Sequence, residues 1–128
     1  MFVAHAKDGK PEPATGEMFT GQVHRQPLVD KPEGSNLTMG LVKFSAGGRT
    51  KWHRHTFHQG LLIVEGKGIV ATEAGEHIVE AGDAVVIPAN EKHWHGGTET
   101  TGMAHISITQ PGESIPMEPV TEVKTKVS

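Results

Sequence analysis

The stretch KWHRHTFHQGLLIVEGKG, residues 51–68, places three histidines within six residues, follows them with a glutamine and then turns apolar. In an extended chain, side chains two residues apart share a face. His53 and His55 therefore project together, with Trp52 and Arg54 on the opposite side. Gln59 joins the face of His53 and His55 provided that no bulge in residues 56–58 changes the count. The run Leu61-Leu62-Ile63-Val64 is apolar at every position, which predicts a strand covered on both faces.

The same alternation recurs further along. In KHWHGG (92–97), His93 and His95 share a face and Trp94 opposes them. In MAHISIT (103–109), His105, Ser107 and Thr109 lie on one side and Ala104, Ile106 and Ile108 on the other. Sixteen glycines and eight prolines leave no window long enough for an amphipathic helix. Between the breaks lie short β-rich runs: NLTMGLVKFS, GIVATEA, EHIVEAG and DAVVIP. This pattern predicts an all-β sandwich or barrel. A hairpin tip is expected around Ala74-Gly75, and Asp83 in EAGDA is expected to shape a turn rather than to act in catalysis. The barrel is expected over residues 19–110, between an N-terminal arm (1–18) and a C-terminal tail (111–128) rich in Pro, Glu and Lys.

Composition narrows the function classes. The chain has 128 residues, enough for one domain with its own core. Its net charge of -3 provides no electrostatic footprint for nucleic acid or an anionic membrane. With no cysteine there is no disulfide, thiolate metal site or cysteine nucleophile. The opening MFVAHAKDGKPEP has too short an apolar run for a signal peptide, and no segment approaches a bilayer span, so a cytoplasmic location is expected.

Several imidazoles aimed into one apolar interior are costly unless something satisfies them. A divalent metal does so directly, because neutral imidazole is a good ligand for Zn, Fe, Ni and Cu. The competing reading of any single histidine is a hydrogen-bonded core or surface residue. The paired spacing and the second cluster favour the metal. His58 has the wrong parity for a ligand, and His5, His24 and His77 read as surface residues. Trp52 and Trp94 read as packing or dimer contacts, and SAGGRT (45–50) is not a phosphate loop because no helix pattern follows it.

These residues resemble the two sequence motifs of the cupins. Gly47, His53, His55, Gln59 and Gly66 match the first motif, with Gln59 standing where most cupins have Glu. GDAVVIPANEKHWHG resembles the second, through Gly82, Pro88 and His93; Asn90 stands where a glycine is usual and Gly97 where an asparagine is usual. The resemblance implies a double-stranded β-helix, or jelly-roll barrel, with one metal per chain held by His53, His55, Gln59 and His93. It further implies a homodimer or higher homo-oligomer. MFTG, EKHWHG, MAHISI and MEPVT, in that order, are similar to the subgroup containing the bacterial cupin hydroxynitrile lyases, over roughly residues 17–122. Thr109, where some of those lyases have glutamine, and the Thr56-Phe57-His58 turn depart from the subgroup next to the substrate pocket.

The expected activity is therefore a metal-dependent lyase that cleaves and forms cyanohydrins. The alternatives are a small-molecule dioxygenase or isomerase, or a non-catalytic cupin that binds a metal or small ligand. Three imidazoles and an amide leave the metal's charge uncompensated, which strengthens it as a Lewis acid. Manganese is expected first, with iron, zinc or nickel as alternatives. His105 is the expected general base by resemblance, Thr50 would orient the substrate oxygen, and His95 is either a second acid–base group or a partner that orients a ligand.

Overall fold

The computed structural model describes residues 1–30 and 34–126. A short 3-10 turn, Ala6–Asp8, precedes twelve strands: β1 (Glu12–Pro13), β2 (Phe19–Thr20), β3 (Val23–Val29), β4 (Thr38–Phe44), β5 (Arg49–Thr50), β6 (His53–His55), β7 (Gln59–Thr72), β8 (Gly75–Glu80), β9 (Ala84–Ile87), β10 (His93–Gly97), β11 (Met103–Thr109) and β12 (Ser114–Pro116). Eight of them form one hydrogen-bonded path, β1-β3-β4-β11-β7-β10-β5-β2, and the remaining four pair off it. Each strand pairing is antiparallel. The all-β, cupin-like architecture expected from the sequence is present. The path curls without closing: among the described residues its two ends, β1 and β2, do not pair with each other. No helix of the described residues is long and apolar enough to cross a membrane.

The fourteen-residue β7 explains how the sheet folds over on itself. Its first half pairs with β11 and β9, and its second half with β10 and β8. Between the halves stands Gly66 at φ 74°, a conformation that a residue with a Cβ adopts only under strain. A Cβ there would also collide with the Gly102 carbonyl oxygen. Glycine at this position thus lets one continuous strand serve two half-sheets that face each other. The β7–β8 hairpin turns at Glu73-Ala74, with Thr72 opposite Gly75, and Thr72 Oγ1 accepts the Ala74 N–H. Asp83 closes the next turn by accepting the Glu80 N–H through Oδ2 while its own N–H donates to the Glu80 carbonyl.

Two apolar clusters result. The interior one contains Val23, Val42, Phe44, Leu61, Ile63, Val70, Val79, Ile87 and Met103. The second lies on the other face of β7 and β10, where Ile69, Ala71 and Trp94 pack with Val120, Trp52 and Val123. Both tryptophans therefore turn away from the interior histidines, as the alternation requires.

The terminal segments do more than flank the sheet. β1 pairs with β3, and Gln26 donates to the Ala6 carbonyl. From the other end β12 pairs with β6, Arg49 donates to the Val120 carbonyl, and the Glu76 carboxylate accepts the N–H groups of Lys124 and Thr125. The C-terminal segment covers Trp94, which is why Val120 is buried in a stretch whose composition reads as solvated tail.

Candidate metal centre

β6 and β10 are cross-strand neighbours, and their register sets His93 directly opposite His53. Alternation along β6 adds His55 to the same face. The ring centroids lie 4.1 Å apart for His53–His93, 4.8 Å for His53–His55 and 5.2 Å for His55–His93. One ligand nitrogen from each of the three lies within 4.8 Å of the others. Metal–nitrogen bonds of roughly 2.0–2.1 Å set neighbouring ligand atoms about 3 Å apart, so the three rings would draw together around an ion.

The hydrogen bonds prepare these rings for coordination. His53 Nδ1–H donates to the Lys51 carbonyl at 2.8 Å, and His93 Nδ1–H donates to the Glu91 carbonyl at 2.8 Å. His55 Nδ1 is hydrogen-bonded to Ser114 Oγ at 2.8 Å. An imidazole that gives its Nδ1 proton away keeps a lone pair on Nε2, which is the form that binds metals. His55 Nε2 and His93 Nε2 are buried without a hydrogen-bond partner. Burial first, and then the neighbouring His93, depresses the pKa of His53 to about 3 and that of His55 to about 4. Burial also lowers that of His93. All three rings are neutral near pH 7 and free to act as ligands.

Gln59 begins β7 and lines the same cavity. Its Nε2 donates to Ser107 Oγ at 2.9 Å, which fixes the amide with Oε1 left over. That oxygen is buried and has no partner among the described residues. An orphaned amide oxygen beside orphaned imidazole nitrogens costs on the order of 1–3 kcal/mol unless a cation accepts it. The donor set therefore fits a divalent ion, through three nitrogens and one neutral oxygen.

A second histidine pair lies deeper. His95 and His105 are both buried, and His95 Nδ1 and His105 Nε2 share a hydrogen bond of 3.1 Å. Only one of those nitrogens can carry the proton. Whichever it is, one lone pair and one N–H remain at the outer atoms, His105 Nδ1 and His95 Nε2, and both are buried and unpartnered. His95 stacks at 5.7 Å on His93 and lies 5.5 Å from His53, so the pair adjoins the metal cluster. Burial lowers the pKa of His105 to about 4 and that of His95 well below the usual imidazole value. Thr50, also buried, accepts the His95 backbone N–H through Oγ1, which leaves its hydroxyl proton available to the cavity.

The cavity has a volume of about 460 Å³ and brings together His53, His55, Gln59, Thr50, His95 and His105. His93 is fully buried behind them. Phe57 stacks on His55 at 4.8 Å, so the turn between His55 and Gln59 forms part of the cavity wall. Sequence reasoning missed Ser114, which holds His55 from a strand fifty-nine residues away, because nothing local to the tail marks it. The exposed His58 accepts the Ala89 N–H through Nδ1 and takes no part in the cluster. Asn90, which departs from the glycine of the cupin motif, adopts φ 68°, a conformation that asparagine tolerates better than most residues.

Residues 40–109 match the family pattern of the Cupin domain. The chain belongs to the cupins. Among curated cupin relatives it is 37% identical over 95 residues to an (R)-mandelonitrile lyase of Granulicella tundricola, covering 73% of this chain and 72% of that one. It is 31% identical over 93 residues to a dimethylsulfoniopropionate lyase of Ruegeria pomeroyi, covering 70% and 61%. A cupin-like protein of Thermotoga maritima superposes with a TM-score of 0.83 at 33% identity, covering 89% of this chain and 90% of that structure.

The orphaned amide oxygen leads to a prediction. A Gln59→Glu variant is expected to retain a divalent metal at least as well as the parent, since it adds a negative charge next to the ion and Ser107 can donate its hydroxyl proton in place of accepting. Metal titration by calorimetry reads the result. Weaker binding by a folded variant would remove position 59 from the ligand set.

Proposed function

We propose that this cupin is a hydroxynitrile-type lyase that splits small cyanohydrins into an aldehyde and hydrogen cyanide, and joins them in reverse. The observation that carries the proposal is the buried His95–His105 pair, which offers an unpartnered proton acceptor and donor beside a cluster suited to metal binding. The likeness to a mandelonitrile lyase supports it. His53, His55, His93 and Gln59 are the proposed ligands and manganese the first metal. When bound, the metal would supply Lewis acidity toward the substrate oxygen or the departing anion.

The residues of the chain then divide the remaining work. Thr50 donates its hydroxyl hydrogen to the substrate oxygen and orients it. His105 accepts the hydroxyl proton of the cyanohydrin. The O–H electron pair becomes the second bond of the carbonyl, the bond to the nitrile carbon breaks, and cyanide leaves with the electron pair of that broken carbon–carbon bond. The imidazolium, relieved through its hydrogen bond to His95, then returns the proton to cyanide. Phe44 lies 5.5 Å from His105 and 5.8 Å from His95, keeping water from the pair.

The test is cyanide release from mandelonitrile by metal-loaded protein under anaerobic conditions. The expected rate exceeds that of the same concentration of free metal and does not change on admitting air, because heterolytic cleavage consumes no oxygen. A rate equal to that of free metal would instead favour a binding module, and a strict need for oxygen a dioxygenase.

A further inference from the structure

The cavity carries a charge that the chemistry above does not use. On β3, alternation puts Val23, Arg25 and Pro27 on one face, and Val23 belongs to the interior cluster. The register pairs Arg25 with Val42, and Val42 with His105. Arg25, Val42 and His105 thus form one row across three adjacent strands, with the Cα atoms of Arg25 and His105 roughly 10 Å apart at about 4.8 Å per strand. Arg25 lines the cavity at its solvent-exposed side. In the next row Gly40 stands between Pro27 and Ser107, and a Cβ there would meet only the Gln26 carbonyl oxygen, at 3.7 Å. No side chain therefore fills the floor at that point.

Among the described residues the guanidinium of Arg25 has no ion-pair or hydrogen-bond partner. Among the described residues the ion pairs join Lys43 to Glu65, Lys92 to Glu73 and Glu118, and Lys126 to Glu99. Arg25 enters none of them. Glu12, its neighbour on β1, forms no ion pair with it and lines a separate surface groove with Lys7 and Lys10. The acidic residue on the main cavity is Asp30, just beyond the end of β3, and it forms no ion pair with Arg25 among the described residues. One end of the cavity therefore has a planar cation that is unpaired among the described residues, and the other has the histidines. A guanidinium fork of this kind is suited to a carboxylate, which it can bind through two parallel N–H···O bonds.

We propose that Arg25 anchors the carboxylate of the substrate, so that this cavity takes a small organic acid whose reacting hydroxyl is held at the opposite end, beside His105 and the metal cluster. The inference rests on the reading of this cavity as the substrate site and not on which bond is broken there. Applied to the lyase, it selects cyanohydrins that bear a carboxylate remote from the hydroxyl-bearing carbon.

The experiment measures binding without turnover. Metal-loaded protein is titrated by calorimetry with 4-(hydroxymethyl)benzoate and with its methyl ester, which differ in charge at the far end and share the hydroxyl. The parent is expected to bind the acid about tenfold more tightly than the ester, the low end for charge-assisted hydrogen bonds at an exposed mouth. Arg25→Met is expected to bring the acid down to the ester's affinity, and Arg25→Lys to restore part of the difference. Unchanged ester affinity in Arg25→Met shows that the cavity is intact. An acid preference that survives Arg25→Met would place the carboxylate on the metal or elsewhere and overturn the proposal. So would the absence of any preference in the parent, or failure of both ligands to bind. Cyanide release is not read in this experiment, so its outcome is separate from that of the lyase assay.

Discussion

A His53→Ala, His55→Ala double variant is expected to fall from one bound divalent metal per chain to less than about a tenth of that. Both rings come from β6 and supply two of the three clustered nitrogens, so their loss leaves only His93 and Gln59. Two neutral ligands cannot compete with water for a hard divalent ion. The fold should survive the change. The interior apolar cluster contains neither residue, and the β6 backbone pairs with β10 and β12 whatever its side chains. Elemental analysis of untagged protein, together with circular dichroism, reads both outcomes. Stoichiometric metal retained by the double variant would mean that the ion lies elsewhere.

Replacing His105 by alanine is expected to lower the turnover of mandelonitrile about a hundredfold, the range lost with a general base, while leaving the metal in place. His105 is not a member of the three-histidine cluster, and its hydrogen bond is to His95 rather than to a ligand. The loss should appear in kcat more than in KM, because the ring acts on a proton in flight and makes little contact with the rest of the substrate. Rates within about threefold of the parent at equal metal content would rule the residue out as the base. A His95→Ala variant distinguishes a relay from a lone base. In a relay it slows the reaction too, since His95 then receives or supplies the shared proton.

Much of this arrangement was legible in the sequence because strand alternation is a strict rule. His53 with His55, His93 with His95, and the outward turn of both tryptophans follow from a period of two. The turn chemistry of Asp83 follows from composition, whereas the two-faced covering expected for the run 61–64 does not occur: Leu61 and Ile63 are buried in the interior, while Leu62 and Val64 are 42% and 44% exposed on the other face. What was not legible depends on pairings distant in the chain. Nothing near Ser114 signals that it holds His55, since that contact exists only once β12 lies against β6. Val120 sits among prolines and charged residues, and only the apolar face of Trp94 makes its burial favourable. Arg25 is similar. Only the β3–β4–β11 register places it in a row with His105. The open curl, where a closed barrel was expected, is likewise a matter of distant pairing: β1 and β2, at the two ends of the path, do not pair with each other among the described residues.

The claim on which the account rests is that His53, His55, His93 and Gln59 together hold one divalent ion. Anomalous diffraction from crystals of protein loaded with manganese, recorded at the metal's absorption edge, tests it most directly. The account predicts one strong peak per chain, within bonding distance of Nε2 of the three histidines and of Oε1 of Gln59. A peak bound elsewhere, or one held by the histidines while Gln59 keeps its oxygen turned away, would contradict it.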